Sequence, residues 1–307
     1  MKQQPTEMDE RARLKMYFNE GIIAEASATY HSKRAEYVSS HGLTGDFKKS
    51  PANYHAKITG EIKDVDRPAY KPGRAAHSLI LEGRKQFEKD FCWNSPINEK
   101  TGKPYGPTSK PYLEWAEGET REIITPDQLA LVEAMEKSVR KHEQATYLLS
   151  NGIAEGVIRV NLPVEKSRHA QEDFDGRIYS PLIKCQIRMD YFNFEEGLVD
   201  LKTCDDIDYF EPDSRRYRYI HQLAFYRSVI VQKFDPLGKL WEQGLLPVRL
   251  IAVEKKPPHR VGVWRIGDYV LGVAKGENDI LLAELAECRL KDVWPTRYEK
   301  ERTLEMI

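Results

Sequence analysis

No stretch of the 307 residues approaches the roughly 18 consecutive apolar side chains that a membrane-spanning helix needs. Residues 1–20 are polar and charged where a secretory leader would carry an apolar centre. Both absences lead us to expect a cytoplasmic protein with no membrane contact. Cysteine is scarce: Cys92, Cys185, Cys204 and Cys288 lie far apart with no C-x-x-C pair, which argues against a disulfide framework and against a zinc ribbon. Excess charge is missing too, with 47 Lys and Arg against 48 Asp and Glu and a net charge of -1. Long-range steering of a polyanion by net charge is therefore excluded, and any such surface must come from local clusters. Candidates are Lys48-Lys49, Arg215-Arg216 with Arg218, and Lys255-Lys256 with His259-Arg260, although each alone is more simply a solvated face.

What is present is an ordinary globular balance, 40% hydrophobic and 31% charged, enough for one large core or two modest ones. Short helices are expected at 44–49 and 52–58, with Pro51 suited to a first turn. Glycines at both ends, Gly73 and Gly83, bracket a compact helical run that contains His77. Residues 94–118 are rich in Pro, Gly, Lys and Ser and read as a surface loop or flap. Thr125-Pro126-Asp127 is a helix start, and Leu129, Val132, Met135 and Val139 follow at helical spacing, so one long helix is expected to reach 151–152. The period then changes to strand-like over 153–160, 182–192 and 198–203, with Glu195-Glu196-Gly197 as a turn. A helix at 214–231, strands at 248–253 and 261–266 and a helix at 269–290 complete an α/β sandwich around a mixed sheet.

In Leu198-Val-Asp-Leu-Lys-Thr203 side chains alternate, so Val199 and Leu201 should enter the core while Asp200 and Lys202 share the other face. Antiparallel pairing through the tight turn brings Asp190 toward Asp200, and two carboxylates that close repel unless a cation or proton lies between them. Magnesium suits such a pair because it is a hard ion held by one or two carboxylates plus water and phosphate. Taken alone, D-x-K on a strand is an exposed salt bridge. Downstream, Gln222 and Tyr226 are four apart on one helix face and can project to the same place. His77 alone reads as a core histidine and Glu155 alone as a solvated strand-end acid.

The set in this order resembles the RecE-type exonucleases (exonuclease VIII) of the PD-(D/E)XK superfamily, in the histidine-bearing variant also found in bacterial recombination helicase-nucleases. The matching stretches are Ser50-Pro-Ala-Asn-Tyr54, Gly73-Arg-Ala-Ala-His77-Ser-Leu-Ile-Leu-Glu82, Gly152-Ile-Ala-Glu155, Arg188-Met-Asp190, Asp200-Leu-Lys202-Thr, Tyr217-Arg-Tyr-Ile-His-Gln222-Leu-Ala-Phe-Tyr226 and Trp294-Pro295. Met189 stands where the motif has proline, a residue that shapes backbone and carries no ligand atom.

The resemblance implies a restriction-endonuclease-like (PD-(D/E)XK) core, a mixed sheet flanked by helices, over 61–307, with residues 1–60 a helical extension. It implies that His77, Asp190, Asp200 and the Leu201 carbonyl bind the metal, with Glu155 at a second metal or positioning water. Lys202 would orient the attacking water or stabilise the pentavalent oxyanion, with Gln222 and Tyr226 holding a phosphate or Lys202. The expected metal is Mg2+, with Mn2+ able to substitute because histidine softens the site. Some relatives carry four cysteines around an iron–sulfur cluster, three of them near the C-terminus; that bunching is missing here, so no iron–sulfur cluster is expected. The implied activity is 5′ to 3′ degradation of double-stranded DNA from an end, by a ring-shaped homo-oligomer, exposing a single strand for an annealing protein. Two other readings remain open: a structure-specific or single-strand endonuclease of the same superfamily, and a non-catalytic DNA-binding scaffold.

Overall fold

The computed structural model describes residues 18, 20–64, 70–164, 171–172, 178–179, 181–235 and 246–303. A six-stranded sheet carries the architecture. We name its strands β1 (Ile23–Ala24), β2 (Gly152–Pro163), β3 (Leu182–Asn193), β4 (Gly197–Cys204), β5 (Val248–Glu254) and β6 (Val261–Arg265), and they lie in that spatial order. All neighbours are antiparallel except β4 and β5, which run parallel through a helical crossover, so the sheet is mixed as expected.

The crossover is α9 (Tyr219–Phe234). With α10 (Asp268–Lys291) it covers one face of the sheet, where Leu223, Phe225, Val229, Leu281 and Leu285 pack on Ile158, Ile187, Leu198 and Leu250. The other face lies under α3 (Lys71–His77), α4 (Arg84–Asp90), α6 (Pro126–Lys141) and α7 (Glu143–Leu148), with Ala75, Ala76, Phe87, Met135 and Val139 against Val199, Leu201, Ile251 and Val253. β4 is therefore buried on both faces, Leu198 to one core and Val199 to the other, as a central strand in a covered sheet should be. The shorter helices are α1 (Ser27–Ser32), α2 (Pro51–Ile58), α5 (Lys110–Gly118) and α8 (Phe210–Arg216).

Three expectations change. The long helix after Thr125 begins with the anticipated cap, Thr125 and Gln128 bonding reciprocally, but ends at Lys141; His142 takes extended dihedrals and its ring nitrogen caps α7. The segment 94–118 is not all loop, because Pro111 sits in the first turn of α5, where its missing N–H is no loss. The helix expected at 214–231 is two, α8 and α9, parted by Arg218 in the left-handed region (φ 59°, ψ 34°).

The β3–β4 hairpin is set by local chemistry. Asn193 accepts from the Glu195 and Glu196 amides, both at 2.9 Å, while its own amide donates to the Leu148 and Ser150 carbonyls. Gly197 follows with φ 77°, and a Cβ there would lie 2.4 Å from the Pro247 carbonyl oxygen, so both backbone and space demand glycine. The resulting register runs Gly197 to Asn193, Leu198 to Phe192 and Val199 to Tyr191. Near the C-terminus, the Pro295 carbonyl accepts from Ala52 and Trp294 stacks on His55, which fastens α2 to the end of the domain. Among the described residues no helix is long and apolar enough to cross a membrane.

Candidate metal centre

One more step of the hairpin register would pair Asp190 with Asp200, but the ladder stops at Val199 and Tyr191. Beyond it β3 continues with β2 while β4 continues with β5, so the sheet opens at the two aspartates. The Leu201 amide in that opening is taken by the Asp190 side chain, Oδ2 at 2.8 Å. This bond satisfies a buried N–H and holds the Asp190 carboxylate over the gap. Opposite Asp190 on β2 lies Glu155, which has φ 53°; a non-glycine residue in this region is strained, and such strain gathers at functional sites. The bend turns Glu155 toward Asp190.

His77 comes from above, at the point where α3 passes into a π-helical turn, Ser78–Glu82. A π-turn re-aims side chains relative to the helix before it and is frequent at functional positions. Ala75 and Ala76 have no side chain beyond Cβ, so α3 seats closely on Val199 and Leu201 and lowers His77 into the opening. His77 Nδ1 is 3.6 Å from Asp190 Oδ2. His77, Glu155 and Asp190 each place one ligand atom within 4.8 Å of the others. They are largely buried, at 25% exposure or less.

On the other side of β4, Asp200 is 0% exposed. Its Oδ2 contacts Lys202 Nζ at 2.6 Å, and its Oδ1 accepts from Gln222 Nε2 at 3.2 Å. Gln222 Nε2 also reaches the Tyr226 hydroxyl at 3.2 Å. The helical i, i+4 pair therefore buttresses the D-x-K strand, and Lys202 Nζ in addition stands 5.0 Å from the centre of the Tyr219 ring.

The electrostatics of the two sides differ. Burial, then the neighbouring Asp190, pushes Glu155 up to about 8, although Arg188, 3.0 Å from its Oε2, pulls the other way. Burial, then Asp190, lifts Asp200 to about 6 against the pull of Lys202. Asp190 is also raised by burial, with Lys202 and the Leu201 amide opposing. Burial and then Lys202 lower His77 to about 4, against Asp200 and the Leu201 backbone, so the ring is neutral at pH 7 with a lone pair to offer. Burial alone would lower Lys202, but Asp200 and Asp190 outweigh it and hold the ammonium charged.

A divalent cation fits here. One imidazole and two carboxylates form a borderline donor set, and the acids repel one another in a low-dielectric pocket. The convergent trio differs from the set expected from resemblance: Glu155 stands with His77 and Asp190, while Asp200 turns to Lys202 and Gln222. Leu201 contributes its amide to Asp190, and its backbone also faces His77. Two further residues belong to the site without any role expected from the sequence: Arg188, beside Glu155, and Tyr219, under Lys202. Arg188, two residues before Asp190 on one strand, offered a signal by alternation; Tyr219, three before Gln222, offered one by helical spacing.

The basic clusters fare unequally. Arg260 is held by Glu254, Asp206 and Asp208, and Lys255 by Asp205. Arg215 and Arg216 are exposed.

Residues 40–305 match the family described as a PDDEXK-like domain of unknown function (DUF3799). The chain belongs to this family. As a family member its mixed sheet and flanking helices are the PD-(D/E)XK arrangement. A crystal structure of a protein from Eubacterium rectale, described as a candidate exonuclease, superposes with a TM-score of 0.56 at 16% identity, over 93% of this chain and 97% of that one. Identity that low speaks to fold alone. Comparison with curated proteins yields no match.

Proposed function

We propose that this PDDEXK-like protein is a divalent-metal-dependent DNA exonuclease of the RecE type, degrading linear duplex DNA from an end, 5′ to 3′. The observation that carries the reading is the convergence of His77, Glu155 and Asp190 beside the Asp200–Lys202 pair, at the one place where β3 and β4 part. Membership of the PDDEXK-like family and the fold shared with the Eubacterium rectale protein support it.

His77, Glu155 and Asp190 would hold the cation, with Asp200 and the Leu201 backbone beside it. When bound, the cation supplies Lewis acidity toward the phosphodiester and lowers the pKa of a nearby water. Lys202 presents a charged ammonium where negative charge grows on the phosphate, at a site dry enough for that charge to count. Asp200 aims Lys202, Gln222 aims Asp200, and Tyr226 steadies Gln222. Magnesium is the proposed ion, with manganese substituting because one donor is nitrogen. A ring of protomers would explain entry by ends alone, and an annealing protein is the proposed recipient of the exposed strand.

Digestion of linear against covalently closed duplex with magnesium tests the reading. Rapid loss of linear DNA with closed circles intact is expected. Equal digestion of both would establish the endonuclease reading, and digestion of neither the scaffold reading.

A further inference from the structure

We propose that Tyr217 and Tyr219 form a platform on which a nucleobase of the strand being cut stacks, next to Lys202. This rests on the nuclease reading and adds to it a contact with the base where the metal centre touches only phosphate. The two rings lie 5.9 Å apart, inclined by 28°. Residues i and i+2 do not face each other on a regular helix, and it is the left-handed Arg218 between α8 and α9 that brings them together. A left-handed arginine is strained backbone, retained where the surroundings demand it. Its guanidinium is tied at 3.0 Å to Glu277, which also takes His221 at 2.9 Å, so the kink is braced from α10.

The inner ring belongs to the site: Lys202 Nζ stands over Tyr219 at 5.0 Å, and burial followed by the charges of Lys202 and Asp200 shifts the Tyr219 hydroxyl, upward on balance. The outer ring does not belong to the core. Tyr217 is 55% exposed, and the exposed Arg216 lies 5.4 Å from its centre. A flat aromatic step whose outer ring carries the Arg216 guanidinium over it, leading from a catalytic ammonium to solvent, suits an unpaired base: every base has a π-face, and the arginine can lift aside to supply cation–π contact and phosphate attraction. Tyr219 alone could serve only to steady Lys202. Tyr217 has no such duty, because it reaches Lys202 only through Tyr219.

The test uses the full chain and a single-stranded oligonucleotide carrying a fluorescent adenine analogue at successive positions, with calcium in place of magnesium to suppress cleavage. Wild type should quench the analogue at one position near the end. Tyr217→Ala should lose that quenching and bind about 10-fold more weakly, the effect of one stacked base, while Tyr217→Trp retains both. An oligonucleotide abasic at that position should bind wild type and Tyr217→Ala alike. Unchanged quenching and affinity in Tyr217→Ala, or no quenching position in wild type, overturns the platform. Wild type that quenches but leaves DNA uncut with magnesium overturns the nuclease reading instead. A cutting enzyme whose preference for base over abasic DNA survives Tyr217→Ala overturns the platform alone.

Discussion

The two sides of the opening in the sheet hold their charges differently. On the α9 side, Asp200, Lys202, Gln222 and Tyr226 form a chain in which each polar group meets another, and the buried acid has its counter-charge within 2.6 Å. On the α3 side, Glu155 and Asp190 crowd together with a neutral His77, offset by Arg188 beside Glu155 and, at Asp190, by the Leu201 amide and the more distant charge of Lys202. The first side is complete in the protein itself; the second is complete only with a proton or a cation. The proposed nuclease would use both: a fixed ammonium ready before substrate arrives, and a donor set with affinity for a metal.

Breaking the complete side should have the largest effect. Asp200→Ala strands the Lys202 ammonium in a buried place, and loss of one partner of such a pair costs about 3–5 kcal/mol. Chemical denaturation should show that loss together with abolished cleavage; a stability within 1 kcal/mol or so of wild type would mean that the pair is well solvated. Lys202→Ala should lower the cleavage rate about 10²-fold or more at saturating magnesium. Near wild-type digestion would remove Lys202 from the mechanism.

Breaking the incomplete side should act in the opposite sense on the metal-free protein. Glu155 has its folded pKa raised to about 8 from 4.5, so the folded state binds its proton more tightly than the unfolded state does. Its contribution is full below about pH 4.5 and is lost as pH rises to about 8. Without metal, the Tm should therefore decline across that window, and Glu155→Gln should flatten the decline and raise the Tm at pH 8 while destroying metal binding. A Tm profile unchanged by Glu155→Gln would mean that the acid is not desolvated. The smallest effect belongs to the far end of the complete side: Tyr226→Phe removes one neutral partner of Gln222, costing about 0.5–1.5 kcal/mol, and should reduce cleavage less than any ligand substitution. A loss as large as that of Lys202→Ala would give Tyr226 a direct part in the chemistry.

Five of the six strands and the helix carrying Gln222 and Tyr226 were readable because alternation over 198–203 and helical spacing are local signals that burial only reinforces, whereas the two-residue edge strand β1 is too short to show a period. The sequence pattern also located the opening indirectly, since the Glu195-Glu196-Gly197 turn fixes the register that aligns Asp190 with Asp200. What it could not show was that the strands part there. The exchange of Glu155 for Asp200 in the convergent trio depends on a left-handed kink at a glutamate, which no turn residue advertises. Arg218 is the same kind of case: without glycine or asparagine, the split between α8 and α9 reads as continuous helix. His142 broke the long helix by capping its successor, accepting from the Ala145 amide, a local role that histidine seldom takes and that propensity does not carry.

The central claim is that His77, Glu155 and Asp190 bind one divalent cation and give up a proton to do so, because Glu155 is protonated near neutral pH in the metal-free protein. Calorimetric titration of manganese into wild type and into His77→Ala, at pH 7 in two buffers of different ionisation heat, measures this directly. The account predicts one site in wild type, a heat that changes with buffer in the sense of proton release, and much weaker binding in His77→Ala. Equal affinity in the two proteins, or no binding to wild type, would contradict it.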